Sequence, residues 1–164
     1  MVVLLLVRHG HAGSKRHWRG DDCLRPLSPQ GFDEADAIGK LLIPFSPIRI
    51  VSSPYVRCVQ TVKPLAEELG LRIEGTKRLI PSAGRAASTY LQRVSRKDNG
   101  ALVICTHGEV IHALQEELSK SVPELFGEDV PREKGSVWVL EREDGHIVKS
   151  EYLPPPRPIG SRHR

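Results

Sequence analysis

Six apolar residues in a row, Val2 to Val7, stand at the head of this sequence and run directly into Arg8-His9-Gly10-His11. A run that short falls far below a bilayer crossing. It has neither the basic lead-in nor the small-residue cleavage site of a secretion signal. It reads instead as a strand buried on both faces, which is how strands of a parallel sheet read when helices cover both sides.

The rest of the chain alternates in the same way. Ile48–Val51 and Ala101–Cys105 are further buried strands, with Leu71–Ile73 a weaker one. Between them the spacing predicts helices over Gly31–Ile43, with Phe32, Ala35, Gly39 and Leu42 on one face, and over Pro54–Leu69, kinked at Pro64 and stopped by Gly70. Ala86–Arg96 and Glu109–Leu118 are helical by the same periodicity. Ser136–Glu141 and Ile147–Glu151 flank Asp144-Gly145, a hairpin signal. Strands alternating with helices predict an α/β three-layer sandwich, with a mostly parallel central sheet and an antiparallel edge. Residues 1–152 make one domain. The stretch 153–164 holds four prolines and no periodicity, and is expected to be a disordered tail.

Charge and cysteine usage narrow the partners. A net charge of +4 favours anionic ones. Much of the excess sits in Lys15–Arg19 and in the tail, without any nucleic-acid motif, so no nucleic-acid or membrane partner is expected. Cys23, Cys58 and Cys105 are an odd set without C-x-x-C spacing, as expected of reduced thiols in the cytoplasm. Neither Cys58 nor Cys105 opens a C-x5-R phosphate loop, because Pro64 and Ile111 stand where the arginine would be.

Three junctions share one construction, in which a buried strand ends, a basic residue follows and a helix begins. The first gives Arg8-His9-Gly10, the second Ser52-Ser53-Pro54 with Arg57 in the next turn, the third Thr106-His107-Gly108. In open parallel sheets ligands bind at the carboxyl ends of the strands, where helix N-termini favour anions. Two guanidinium forks and two histidines gathered there suit a phosphoryl group. Arginine grips two oxygens at once, and neutral imidazole is a competent nucleophile at phosphorus. Gly10 and Gly108 would let the backbone approach the anion. Lys15, Arg16 and Arg19 form either a solvated loop or a grip for a substrate's distal phosphate. His11 and His112 could support the site or simply pack.

These residues carry a resemblance. Arg8-His9-Gly10 after an N-terminal strand, "RPLSPQG" (25–31), "SSPYVRCVQT" (52–61) and "CTHGEVI" (105–111) resemble, in order, the motifs of the histidine phosphatase superfamily, which is phosphoglycerate mutase-like in fold. The length points to its compact branch, typified by the phosphohistidine phosphatase SixA. "AGSKRHWRGDD" (12–22) and "KGSVWVLE" (134–141) are similar to the phosphatase half of actinobacterial two-domain MutT-like Nudix proteins, although this sequence has no Nudix box. The resemblance implies His9 as nucleophile, with Arg8, Arg57 and His107 around the phosphoryl group. It implies a phosphohistidine intermediate and no cofactor or metal requirement. The substrate would be a phosphorylated small molecule, a nucleoside diphosphate or a phosphohistidine protein.

The sequence departs from that family at one point. Many members supply a glutamate after the third strand as proton donor, but here no carboxylate stands between Glu74 and Asp98. Glu109 is the substitute, unless it only complements the helix dipole. Two other readings compete. A metal-dependent hydrolase would use His9, His11, His107 and His112 as ligands. A non-catalytic phosphate-binding module would keep the pocket without the reaction.

Overall fold

In a computed structural model of the chain, the described residues are 1–94, 99–126 and 131–157. The end of the helix expected to reach Arg96, the acidic residue Asp98 and positions 158–164 of the expected tail lie outside them.

The elements follow in the order β1 (Val2–Arg8), α1 (Pro29–Leu42), β2 (Pro47–Ser52), α2 (Val56–Leu69), β3 (Ile73–Gly75), α3 (Gly84–Val94), β4 (Gly100–Thr106), α4 (Gly108–Ser121), β5 (Val137–Glu143) and β6 (His146–Leu153). One sheet runs β3-β2-β4-β1-β5-β6. β1 pairs in parallel with β4, as do β2 with β4 and β2 with β3. β5 turns the other way against β1, and β6 closes the edge antiparallel to β5. The expected mixed sheet is present.

Alternation along β1 divides the interior. Leu5 and Val7 enter one core with Ile38 and Leu42 of α1 and Val62 and Leu65 of α2. Leu4 and Leu6 enter the other, with Leu91 of α3 and Ile111 and Leu114 of α4. These cores are the two faces of a three-layer sandwich. None of the described helices is long and apolar enough to cross a membrane.

Local chemistry moves several predicted boundaries. Leu71 does not open β3: its N–H donates to Ala66 O at 3.0 Å after Gly70 turns left-handed at φ 64°, so it finishes the helix cap. α2 starts at Val56, two residues later than Pro54, because Ser53 N–H is still bonded to the sheet through Cys105 O at 2.9 Å. The helix then continues through Pro64 to Leu69. At the other end, Leu153 is paired with Val137 as the last residue of β6, so it belongs to the sheet and not to the tail. The hairpin turn lies at Asp144 and Gly145, both with positive φ, 49° and 78°.

On α1 the buried face is not quite the predicted one. Phe32 is 45% exposed while Glu34 is buried. Contact with the loop after β1 sets the helix rotation. Gly31 faces His11 so closely that a Cβ there would stand 2.0 Å from His11 O. Ser28 caps the helix by accepting from Gly31 N–H at 3.1 Å, and it also donates from Oγ to His11 O at 3.1 Å. The loop carrying the first histidines is thus clamped to the start of α1.

Gly31→Ala should therefore destabilise the fold by about 1–3 kcal/mol or more in urea unfolding, since the clash is with backbone. Gly39→Ala, whose Cβ would sit 3.5 Å from Leu65 N, should be neutral or mildly stabilising. Equal stabilities would show that the loop can retreat.

Candidate active site

β1, β4 and β2 are neighbours, so the three junctions end side by side. Cross-strand bonds extend past the strands: His9 N–H donates to Thr106 O at 3.2 Å, next to the Ser53–Cys105 bond. A cavity of about 370 Å³ opens above these ends, with Arg8, His9, Arg57, His107 and Glu109 in its wall. Lys15, Asp22, Arg25, Tyr55, Ser82 and Lys134 complete most of the lining. Arginine and lysine outnumber carboxylates five to two in that wall.

The protonation of His9 can be read from its contacts. Nδ1 lies 2.8 Å from Gly10 O, an acceptor only, so Nδ1 carries the proton and Nε2 keeps its lone pair. Arg57 Nε–H donates to that Nε2 at 3.4 Å. Burial drives the His9 pKa down to about 3, and the Arg57 and Arg8 charges add to the effect against the Gly10 hydrogen bond. Neutral His9, its Nε2 unprotonated and engaged only by the long bond from Arg57, has the form a nucleophile needs.

His107 stands edge-on to His9, ring centroids 5.3 Å apart. Its Nε2 is 2.9 Å from Ser53 Oγ, which accepts from Tyr55 N–H at 3.3 Å. Its Nδ1 has no partner among the described residues. Burial, followed by repulsion from His9 and Arg57, lowers its pKa to about 2. Arg8 Nε is likewise buried without a partner there, while its NH1 donates to Arg132 O at 2.6 Å. Arg8 and His107 both line the cavity, where guanidinium and imidazole N–H groups suit phosphoryl oxygens.

Asp22 organises the other side. It joins the two arginines Arg57 and Arg25, with Oδ2 accepting from Arg57 NH2 at 3.1 Å and Oδ1 from Arg25 Nε at 3.0 Å. Arg57 NH1 also donates to Asp22 O at 2.8 Å, and Arg25 NH1 to Ala12 O at 2.7 Å. Desolvation pushes the Asp22 carboxyl upward, but the hydrogen bond from Arg25 and the Arg57 charge outweigh it, leaving it below the usual carboxylate range. Arg57 is further braced over the Tyr55 ring, 4.9 Å from its centroid.

Several sequence-based assignments change at this level. Gly10 N–H is taken by Thr61 Oγ1 at 3.0 Å, and the residue fits tightly against Gly31, so it holds the loop and offers no free donor. Gly108 makes room for Arg8, since a Cβ would lie 2.9 Å from the guanidinium carbon. Lys15 lines the cavity but Arg19 does not; it is exposed, beyond the single helical turn at Lys15–His17. Asp22, Arg25 and Lys134 were missed. The Asp22–Arg25 spacing of i,i+3 was a local signal within the quoted motifs; Lys134, remote in sequence, had none. The metal-site histidines disperse: His11 Nδ1 is 2.6 Å from Ser28 Oγ, and exposed His112 pairs with Glu116 at 3.0 Å. No group of three or more His, Cys, Asp or Glu among the described residues is placed to hold a metal.

Parallel strands presenting an Arg-His pair, a second arginine and a second histidine at three adjacent ends give this α/β protein a cationic pocket suited to phosphoryl oxygens. Residues 4–82 match the histidine phosphatase superfamily (branch 1). It is 39% identical over 161 residues to an 8-oxo-(d)GTP phosphatase of Mycolicibacterium smegmatis, covering 94% of this chain and 48% of that protein. The chain thus spans about half the length of this curated relative. In fold it is similar to the protein histidine phosphatase SixA complexed with tungstate, at TM-score 0.70 and 21% identity over 95% of this chain and 97% of that one. Bacillus stearothermophilus YhfR is similar at TM-score 0.74 and 18% identity, over 90% and 94%.

The buried histidines make stability depend on pH. Unfolded histidine takes up a proton near about 6.5, whereas folded His9 and His107 do so only near about 3 and about 2. The unfolded state binds more protons in between, so stability falls as pH drops below about 6.5. The melting temperature should decline from about pH 7.5 to about pH 5, and less steeply in His107→Asn. Identical slopes would show that the His107 ring takes up its proton at the same pH in the folded and unfolded states.

Proposed function

We propose that this chain is a phosphatase that removes a terminal phosphoryl group by way of a phosphohistidine at His9. The observation that carries the reading is the His9 tautomer: Nδ1–H is held by Gly10 O, so the lone pair of Nε2 is the one presented to the cavity beside Arg57. The Nε2–P bond forms as the P–O bond to the leaving group breaks, and the leaving oxygen keeps the electron pair. Water then attacks phosphorus, the N–P bond returns its pair to Nε2, and inorganic phosphate departs with the water's protons. Arg8, Arg57 and His107 donate to the equatorial oxygens, where charge gathers in the transition state.

A nucleoside diphosphate is the substrate class best supported. The relative's printed activity concerns a nucleotide, and Lys15, Arg25 and Lys134 supply positive charge beyond the residues that would grip the reacting phosphate. The wall also offers little acid catalysis. Ser82 and Pro81 line it from the segment that carries no carboxylate, Asp22 is committed to two arginines, and exposed Glu109 is the remaining candidate proton donor. A departing nucleoside monophosphate has a second pKa of about 6 and needs no proton, unlike an alkoxide. Phosphohistidine shares that property and is the second reading. Free Cys23, Cys58 and Cys105 support a cytoplasmic setting.

Rapid quenching during turnover should trap an alkali-stable, acid-labile phosphoryl group on wild-type protein and none on His9→Ala. Full turnover by His9→Ala would overturn the mechanism.

Across a series of phosphate esters and anhydrides, kcat/KM should fall steeply as the leaving-group pKa rises. Glu109→Gln should leave that slope as it is. A shallow wild-type slope that steepens in Glu109→Gln would make Glu109 the proton donor.

A further inference from the structure

Next to the phosphate cavity lies a second one of about 250 Å³, lined by the loop that follows β1 and by the approach to α1. Arg25 belongs to both walls. Lys15 faces the phosphate cavity, while its neighbours Ser14, His17 and Trp18 line the second. Arg25 is in turn tied to the phosphate site, since Asp22 accepts from Arg25 at 3.0 Å and from Arg57 at 3.1 Å.

Trp18 is the unusual member of that wall. It is 39% exposed, although tryptophan is a residue that folding normally hides. The ring is nevertheless anchored. Its Nε1–H donates to Asp21 O at 3.0 Å, and Gly20 lies so near that a Cβ would come within 3.1 Å of Nε1. The only polar atom of the indole is thereby used, and what the ring offers a ligand is aromatic surface held in a set orientation. A preset aromatic platform binds a flat ring at little entropic cost.

We propose that this cavity is the subsite for the leaving group's nucleobase, which stacks on Trp18 while the bridging phosphate passes Lys15 and Arg25. This rests on the nucleoside diphosphate reading of the phosphate site and adds where the base goes. A cationic pocket with Lys15 in its wall, an arginine shared by both cavities, and then an aromatic platform follow the order of groups in a nucleoside diphosphate. Acetyl phosphate has no ring to place there.

The test compares GDP with acetyl phosphate in wild type, Trp18→Ala and Trp18→Phe. Loss of base stacking should raise KM for GDP about tenfold in Trp18→Ala. Trp18→Phe should recover most of that, and acetyl phosphate hydrolysis should be equal in all three. In the His9→Ala background, GDP should quench tryptophan emission, and replacing Trp18 with Phe should abolish the quench, because Trp138 is buried. Unchanged KM for GDP in Trp18→Ala, or equal losses on both substrates, would overturn the subsite. Wild type that cleaves acetyl phosphate but no nucleoside diphosphate would instead overturn the substrate reading beneath it.

Discussion

β1 is hydrogen-bonded along both edges, to β4 and to β5, and its side chains enter the cores on both faces. A strand held on four sides has no freedom to slip, because a shift by one residue would exchange Leu4 and Leu6 with Leu5 and Val7 between two differently shaped cores. The register therefore fixes where the strand ends, and so where Arg8 and His9 stand. Thr106 O and Cys105 O, receiving His9 N–H and Ser53 N–H, carry the same order one residue past the sheet. The precision of the site follows from the rigidity of its floor.

Gathering cations at that floor is costly unless something balances them. Lys134 illustrates this: burial lowers its pKa first, and Arg8, Arg25 and Arg57 lower it further. Asp22 relieves part of that repulsion by accepting from Arg25 and Arg57 together. The pair Arg57–Asp22 is only partly screened, with the arginine side chain 5% and the aspartate 26% exposed, so it holds Arg57 firmly without removing it from the cavity. A phosphoryl group entering the same space would meet an arginine already oriented, and the ordering entropy of that long side chain would be spent beforehand.

Small residues do comparable work by leaving space. Gly31 admits His11 O, and Gly108 admits the Arg8 guanidinium. In both cases a missing Cβ serves the packing of a loop or side chain, and at Gly108 sequence alone had suggested backbone contact with an anion. The two uses cannot be told apart from a string of letters, since both require only that Cβ be missing.

The string of residues is enough to predict the layering, because apolar runs and amphipathic periods depend on residues within a few positions of each other. It also determined the four residues Arg8, His9, Arg57 and His107 at strand ends, since each stands beside its own strand and helix signals. Leu71 and Leu153 were misplaced because a cap bond and a strand pair, each with a distant or non-periodic partner, decided them. Contacts across the fold settle which nitrogen of His9 keeps its lone pair, that Asp22 joins two arginines, that Lys134 enters the cavity from a segment remote in sequence, and that Arg19 stays outside it. Those outcomes depend on distances across the fold and on burial that shifts proton equilibria, and neither is written in the local order of residues.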